Sequence, residues 1–85
     1  MEGKWFVYIL RCVDDTLYTG ITNDLDHRLK AHNAGTASKY TRVRRPVEIV
    51  YREKVETKGD ALRRELQIKA MSRRDKQALI LNLES

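Results

Sequence analysis

The sequence has few of the residues that cross-link or interrupt a small fold. Its 85 residues include one cysteine, one proline and four glycines. The lone Cys12 has no partner for an internal disulfide, and its place in an apolar run predicts a small buried side chain in a reducing compartment. No apolar run approaches the roughly 18 residues of a membrane span, and the first one is too short for a signal peptide. We therefore expect a cytoplasmic protein with no membrane segment.

Three common kinds of site are also missing from the sequence. It contains no cysteine and histidine cluster at metal-binding spacing, no glycine-rich phosphate loop and no serine flanked by glycines as a nucleophile. We therefore expect no organic cofactor and no nucleotide bound in a glycine-rich loop.

The composition is that of a folded chain with a basic surface. Hydrophobic residues make up 41% and charged residues 34%, and the length allows one domain over residues 1–85. Lysine and arginine number 17 against 12 aspartates and glutamates, which gives a formal charge of +5. This charge attracts polyanions at low salt, although many small cytoplasmic proteins are mildly basic without such a partner.

Hydrophobic periodicity and turn residues predict three strands and three helices. The strands are expected at residues 5–12, 16–21 and 47–53. The helices are expected at residues 25–33, from about 57–60 to 71, and after Ser72 through Leu79, Ile80 and Leu83. The order β-β-α-β-α-α predicts an α/β (α+β sandwich) fold, in which three helices flank both faces of a three-stranded antiparallel sheet.

The long connection at residues 34–46 is a candidate functional segment. Gly35 ends the preceding helix, and loops of this length in small domains are usually functional or mobile. Its charged residues are all positive, and a tyrosine lies among them: Lys39, Tyr40, Arg42, Arg44 and Arg45. The pattern is typical of a loop that follows a phosphate backbone and stacks one ring on a base. The alternative is a solvated basic loop without a ligand.

Tyr8 and Tyr18 lie on the two strands of a predicted hairpin, and the loop length decides whether they share a face. A two-residue loop would separate them. A three-residue loop at 13–15 would place Tyr8 opposite Gly20 and Tyr18 opposite Leu10 on one face, with space beside Tyr8. Two tyrosines beside a gap suit a catalytic pocket, or plain aromatic packing under a helix.

The first predicted helix carries Arg28 and His32 one turn apart on its apolar face. A histidine beside leucines is commonly a hydrogen-bonded core residue. Arg28 next to it favours a functional interpretation, because a buried guanidinium requires an anion and phosphate is a suitable one.

The second predicted helix carries Glu65 within the arc of its apolar residues, which are Ala61, Leu62, Leu66 and Ile68. A carboxylate that faces the core must be paired, protonated or metal-bound. The alternative to a functional role is an ion pair with Lys69 one turn later.

Two segments resemble the signature of a nuclease family. Residues 5–12 read WFVYILRC and residues 17–23 read LYTGITN, similar to the two signature segments of GIY-YIG endonucleases, here as FVY and YTG. The resemblance covers nearly the whole chain and continues through Arg28, His32, Gly35, Tyr40, Thr41, Arg45, Pro46, Arg64, Glu65, Ile68 and Lys69. Small stand-alone bacterial GIY-YIG proteins are the members that it most resembles.

The resemblance implies an antiparallel three-stranded sheet with flanking helices and hydrolysis of phosphodiester bonds in DNA. It implies selection by structure rather than by sequence, with a role in repair or recombination. Its catalytic positions correspond to Tyr8, Tyr18, Arg28, His32 and Glu65. Glu65 would hold one Mg²⁺ or Mn²⁺, Arg28 would bind the phosphate, and a tyrosine, with Tyr18 preferred, would deprotonate the attacking water. How both tyrosines and His32 divide this work is left open.

The sequence departs from the family pattern at three positions. The first triplet lacks its glycine, and Ile21 stands where excision-repair relatives carry a lysine. Asn82 is only a candidate for an asparagine found late in some relatives. Two alternatives therefore stay open: a nucleic-acid-binding module with weak or no catalysis, and a nuclease directed at RNA. The oligomeric state is not given by the sequence.

Overall fold

The computed structural model describes residues 4–84, with side chains described as far as residue 82. The predicted fold class and the order of its main elements are confirmed. A helix of four residues lies in addition within the predicted connection at 34–46. The elements are β1 Trp5–Arg11, β2 Leu17–Thr22, α1 Leu25–Ala34, α2 Lys39–Arg42, β3 Glu48–Val55, α3 Lys58–Lys69 and α4 Arg73–Glu84.

The three strands form an antiparallel sheet in the order β2-β1-β3. The backbone N–H of Cys12 donates to the carbonyl of Thr16 at 2.9 Å, so the hairpin has the three-residue turn considered above. Tyr8 is therefore paired with Gly20, and Leu10 with Tyr18. Of the two alternatives that the sequence left open, the structure has the three-residue loop, and both tyrosines face the same side of the sheet.

The strand ends differ from the prediction by one or two residues. β1 ends one residue early because Cys12 closes the turn instead of continuing the ladder. β2 runs to Thr22, which pairs with Phe6, and β3 runs to Val55, which pairs with Trp5. Pairing across the sheet, rather than local composition, sets these ends.

Side-chain caps and a glycine fix the helix ends. The Asp24 carboxylate accepts the N–H of His27 at the start of α1, and Gly35 ends α1 in the left-handed conformation with φ of 85°. Thr57 caps α3, and Ser72 accepts the N–H of a residue three positions later at the start of α4. Among residues 4–84, no helix has the length and hydrophobicity needed to cross a membrane.

Helices cover both faces of the sheet, as predicted. On one face α3 and α4 pack through a cluster made of Val7, Ile9, Tyr51, Ala61, Ile68 and Ile80. On the other face α1 covers a smaller cluster that includes Tyr8, Leu10, Cys12 and Val47. Cys12 is buried, as expected. Leu83 was predicted to belong to the last helix, and its side chain lies outside the described residues.

The apolar arc predicted for α3 is wider than the face that packs. Leu62 and Leu66 are 43% and 67% exposed, whereas Ala61 and Ile68 are fully buried. The small side chain of Ala61 allows α3 to lie close to the sheet, so the helix packs through the Ala61 and Ile68 side of the predicted arc, about 100–120° from Leu62. Glu65 lies between Ala61 and Leu62 on the helical wheel, at the border of the buried face.

Candidate active site

Tyr8 and His32 form a buried polar pair beneath α1. The Tyr8 hydroxyl lies 3.0 Å from Nε2 of His32, and the two residues are 3% and 1% exposed. Tyr8 comes from the central strand and His32 from the last turn of α1, which crosses that face of the sheet. The histidine is therefore hydrogen-bonded in the core, and its partner is one of the two candidate catalytic tyrosines.

Gly20 makes room for this pair. A Cβ atom at Gly20 would lie 2.6 Å from the hydroxyl and 2.8 Å from Cζ of Tyr8. The space expected beside Tyr8 is thus filled by its own phenol group. A glycine is required at this position of β2 because any side chain would displace the hydroxyl from His32.

Tyr18 packs beside the pair without joining its hydrogen bond. Its ring meets the His32 ring edge-on with centroids 5.2 Å apart. Within the described part of the chain, the Tyr18 hydroxyl has no hydrogen-bond partner, and the side chain is half-buried. The hydroxyl is therefore available to water or to a ligand.

Arg28 places an uncompensated positive charge next to these rings. It is half-buried one turn before His32, and its guanidinium makes no ion pair or hydrogen bond to any residue that the structure describes. Its charge nevertheless lowers the pKa values of both Tyr8 and His32. An arginine in this position can accept an anion that the protein itself does not supply.

Burial sets the protonation state of the pair. Burial raises the pKa of Tyr8 far above its ordinary value of 10.0; Tyr18 and Glu65 raise it further and Arg28 opposes them. Burial also lowers the pKa of His32 below 6.5, and the nearby guanidinium adds to this effect. At neutral pH Tyr8 therefore keeps its proton and His32 is uncharged.

Glu65 approaches from α3 and acts electrostatically on the Tyr8 hydroxyl. Its side chain is only 16% exposed, and one carboxylate oxygen lies 3.1 Å from Nζ of Lys69. The alternative ion pair considered for Glu65 is thus present. In the described chain, no three or more histidine, cysteine or acidic residues are grouped to hold a metal ion. A single carboxylate does suit Mg²⁺, which commonly binds one or two carboxylates and completes its shell with water and phosphate oxygens.

In the basic segment, residues 34–46, some cationic side chains already have hydrogen-bond or ion-pair partners and others do not. The Arg44 guanidinium bonds to Asp14 at 3.1 Å and lies 3.9 Å above the Tyr40 ring. The Arg45 guanidinium donates to the backbone carbonyls of Arg42 and Asn33 at 2.8 and 3.3 Å. Lys39 and the side chain of Arg42 are exposed without a polar partner among the described residues. These two are the cations of the segment that a phosphate backbone can reach unhindered.

Tyr40 differs from the open stacking ring that the sequence suggested. One face of its ring stacks on Tyr18 and the other is covered by Arg44. A base could stack on Tyr40 only after Arg44 had moved.

Two hollows lie on the surface of the described part of the chain, near the candidate catalytic residues. One of about 510 Å³ lies at the basic segment, lined by Asn33, Arg42, Val43, Arg45 and Pro46. Another, of about 560 Å³, lies at the start of α1 and includes Arg52 and Lys54. Neither is lined by Tyr8, Tyr18, Arg28, His32 or Glu65.

Sequence reasoning missed two groups next to the site. Arg52 pairs with Tyr8 across the sheet and Lys54 pairs with Phe6, so both cations share the face that carries the tyrosines. Alternation along β3 would have identified them once the register was known. Thr41 was also missed, although its hydroxyl lies 2.8 Å from Nδ1 of His32. The sequence signals for Thr41 are its place in the family resemblance and Ser38 three positions earlier, a typical N-cap of a short helix.

Comparisons with known proteins agree on the family. A UPF0213 protein of Staphylococcus saprophyticus is 48% identical over 77 residues, covering 91% of this chain and 94% of that protein. One from Staphylococcus aureus is 52% identical over 75 residues, covering 88% and 92%.

Solved structures of relatives share the fold. The solution NMR structure of a UPF0213 protein from Bacillus halodurans has a TM-score of 0.59 and 42% identity, covering 92% of this chain and 83% of that one. A solution NMR structure of a protein from E. faecalis has a TM-score of 0.65 and 34% identity, covering 99% and 92%. The sequence model of the GIY-YIG catalytic domain family matches residues 4–78 of this chain. This chain therefore belongs to the GIY-YIG catalytic domain family.

Proposed function

We propose that this protein is a metal-dependent endonuclease that hydrolyses phosphodiester bonds in DNA and selects its substrate by structure. The observation that carries the proposal is the half-buried Arg28 guanidinium, which has no anionic partner in the described chain and acts on both Tyr8 and His32. A phosphate group supplies the missing anion. Membership of the GIY-YIG catalytic domain family supports the same chemistry.

The side chains divide the reaction among them. Arg28 binds the non-bridging phosphate oxygens and stabilises the charge that develops there. Tyr18, whose hydroxyl is unpartnered among the described residues, reacts as its phenolate and becomes a neutral phenol when it takes the proton from the attacking water. Tyr8 keeps its own proton and holds His32, and the His32 ring packs against Tyr18 and fixes its orientation.

Glu65 would hold the divalent cation, Mg²⁺ or Mn²⁺, which polarises the scissile phosphate and stabilises the leaving oxygen. The side chain suits this role because it is mostly buried and its charge raises the pKa of the Tyr8 hydroxyl, after burial and Tyr18. The neighbouring Lys69 competes for the same carboxylate at 3.1 Å. That ion pair is the specific observation in favour of a second candidate, a nucleic-acid-binding module with weak or no catalysis.

The cationic side chains near the site favour selection of the nucleic acid by its structure rather than by its base sequence. Lys39 and Arg42 are exposed point charges, and Arg28 is suited to phosphate. Contacts to phosphates position a nucleic acid but carry no sequence information. The substrate would therefore be recognised by the path of its backbone, as at a branch, a flap or a single-stranded end.

A cleavage panel tests this function. Branched, flapped and single-stranded DNA and a matched RNA hairpin are incubated with wild-type protein and Mg²⁺ or Mn²⁺, with and without chelator. Glu65→Gln is compared with Glu56→Gln, an exposed carboxylate that precedes α3. We expect wild type and Glu56→Gln to nick the DNA substrates, and chelator or Glu65→Gln to abolish cutting.

The other outcomes separate the alternatives. Equal residual cutting by wild type and Glu65→Gln would identify a contaminant and end the assignment. Salt-sensitive binding that chelator does not change, with no products, would select the binding module. Cleavage of the RNA hairpin alone would replace DNA with RNA as the substrate.

A further inference from the structure

The hydroxyl of Thr41 contacts the side of His32 that faces away from Tyr8. Thr41 is fully buried, and its Oγ1 atom lies 2.8 Å from Nδ1 of His32. The two imidazole nitrogens are thus occupied by two hydroxyl groups, one from β1 and one from α2. Thr41 is not among the five candidate catalytic residues, and its hydrogen bond to the site is the one to His32.

The helix α2 aims this hydroxyl. The Ser38 side chain accepts the backbone N–H of Thr41 at 3.1 Å and caps the four-residue helix. The preceding residue, Tyr40, stacks on Tyr18. Consecutive residues of one helical turn therefore contact the two rings that meet edge-on in the site, His32 and Tyr18.

The hydrogen bonds fit one tautomer of His32 better than the other. If the proton is on Nδ1, it is donated to Thr41, Nε2 accepts the proton of Tyr8, and the threonine hydroxyl is directed to the Ser38 carbonyl. If the proton is on Nε2, the buried Tyr8 hydroxyl must donate elsewhere, and the described residues offer it no other acceptor. Buried polar groups are nearly always paired, so the first arrangement is favoured.

We propose that Thr41 is a positioning residue that holds His32 as the Nδ1–H tautomer, so that Nε2 accepts the Tyr8 proton and the His32 ring is fixed against Tyr18. The hydrogen-bond partner of one ring nitrogen determines which nitrogen carries the proton, and the Thr41 hydroxyl acts as the acceptor because its own proton is directed to the Ser38 carbonyl. The consequence for catalysis rests on the nuclease function proposed above. The tautomer itself is a property of the folded chain and does not depend on catalysis.

Nitrogen-edited NMR of the imidazole rings in the whole protein at neutral pH tests the tautomer. The chain has two histidines, and the exposed His27 is an internal reference on the same helix. In wild type we expect His32 to carry its proton on Nδ1 alone. Thr41→Val, of similar size but without the hydroxyl, should give a mixture of tautomers at His32 and no change at His27. Thr41→Ser should restore the single form.

Single-turnover and steady-state cleavage provide a second readout. We expect Thr41→Val to lower kcat by roughly 10–100-fold with little change in KM, and Thr41→Ser to recover most of it. A role in stability alone would alter the melting temperature without this division between kcat and KM or the change of tautomer.

The results separate this inference from the proposed function. A wild-type spectrum with the His32 proton on Nε2, or Thr41→Val with the Nδ1–H form unchanged, would overturn it. If Thr41→Val does not fold, the spectra of wild type and Thr41→Ser decide: a single Nδ1–H form in both supports the inference, and an Nε2–H form in wild type contradicts it. If the wild type cuts no nucleic acid, the nuclease proposal fails while the NMR result still decides the role of Thr41.

Discussion

The ring of Tyr40 stacks on the ring of Tyr18, with centroids 5.9 Å apart and 25° between the planes. Tyr40 belongs to the basic segment and Tyr18 to β2, so this contact makes the segment part of the wall of the candidate site. Arg44 covers the outer face of Tyr40 and is tied to Asp14 in the hairpin turn. The segment thus supports the site through Tyr40 and Arg44 and leaves other cations exposed.

Gly20→Ala should damage both stability and activity. The added Cβ would lie 2.6 Å from the Tyr8 hydroxyl, which must move away from His32. Overpacking of this kind costs about 1–3 kcal/mol in the free energy of unfolding. Urea denaturation measures the loss, and cleavage of a DNA flap measures the effect on the site.

Gly59→Ala is the matched control for this substitution. A Cβ at Gly59 would meet its nearest neighbours at 3.7 and 3.8 Å, which is ordinary contact, and the residue lies in the first turn of α3. The change should leave activity intact and raise stability by about 0.4–1 kcal/mol. Equal effects of the two substitutions would show that the close approach of Gly20 to Tyr8 is unimportant.

Alanine substitutions in the basic segment should show that some of its cations bind DNA and that others stabilise the fold. Lys39→Ala and Arg42→Ala should each reduce the salt dependence of DNA binding by about one charge, with stability changed by less than about 0.5 kcal/mol. Arg45→Ala should instead lower stability, by about 1 kcal/mol, because its guanidinium bonds to two backbone carbonyls. Fluorescence anisotropy at several salt concentrations and urea unfolding measure the two effects. Loss of stability without loss of binding in Lys39→Ala would contradict this division.

Stability should fall on acidification because of His32. Burial, and to a smaller extent the charge of Arg28, lowers the pKa of His32 in the folded state below the ordinary value of 6.5. At a pH between the folded-state pKa and 6.5, the unfolded chain therefore binds more protons than the folded chain. The contribution of neutral His32 is therefore complete above pH 6.5 and is lost progressively as the pH falls toward its pKa in the folded state. Urea unfolding above and well below pH 6.5 should show a steeper loss for wild type and His27→Gln than for His32→Gln. The same pH dependence in all three proteins would contradict a buried, neutral His32.

Local patterns were sufficient to predict the sheet, and they limited the tyrosine register to two alternatives. The apolar run of β1 is visible in the sequence, but only the three-residue turn seen in the structure decides that Tyr8 and Tyr18 share a face. The helix starts could also be predicted from the sequence. Each N-cap side chain accepts a hydrogen bond from a backbone N–H three residues later, as at Asp24, Thr57 and Ser72.

Contacts between distant elements were not predictable in the same way. The face of α3 that packs is set by the small size of Ala61 against the sheet, which a wheel weighted by the larger Leu62 and Leu66 does not reveal. The helix α2 has a single turn and no apolar periodicity, so its segment was interpreted as a loop. The pairing of His32 with Tyr8 on one side and Thr41 on the other depends on how α1 and α2 meet over the sheet.

The most direct measurement of the central claim is the single-turnover rate at which a branched DNA is cut by Arg28→Ala, compared with wild type and Lys30→Ala. Lys30 is an exposed cation on the same helix and controls for the loss of one positive charge. If the Arg28 guanidinium receives the scissile phosphate, Arg28→Ala should lower the rate by about 10²–10³-fold, while Lys30→Ala changes it little. Equal rates for Arg28→Ala and Lys30→Ala would contradict the account.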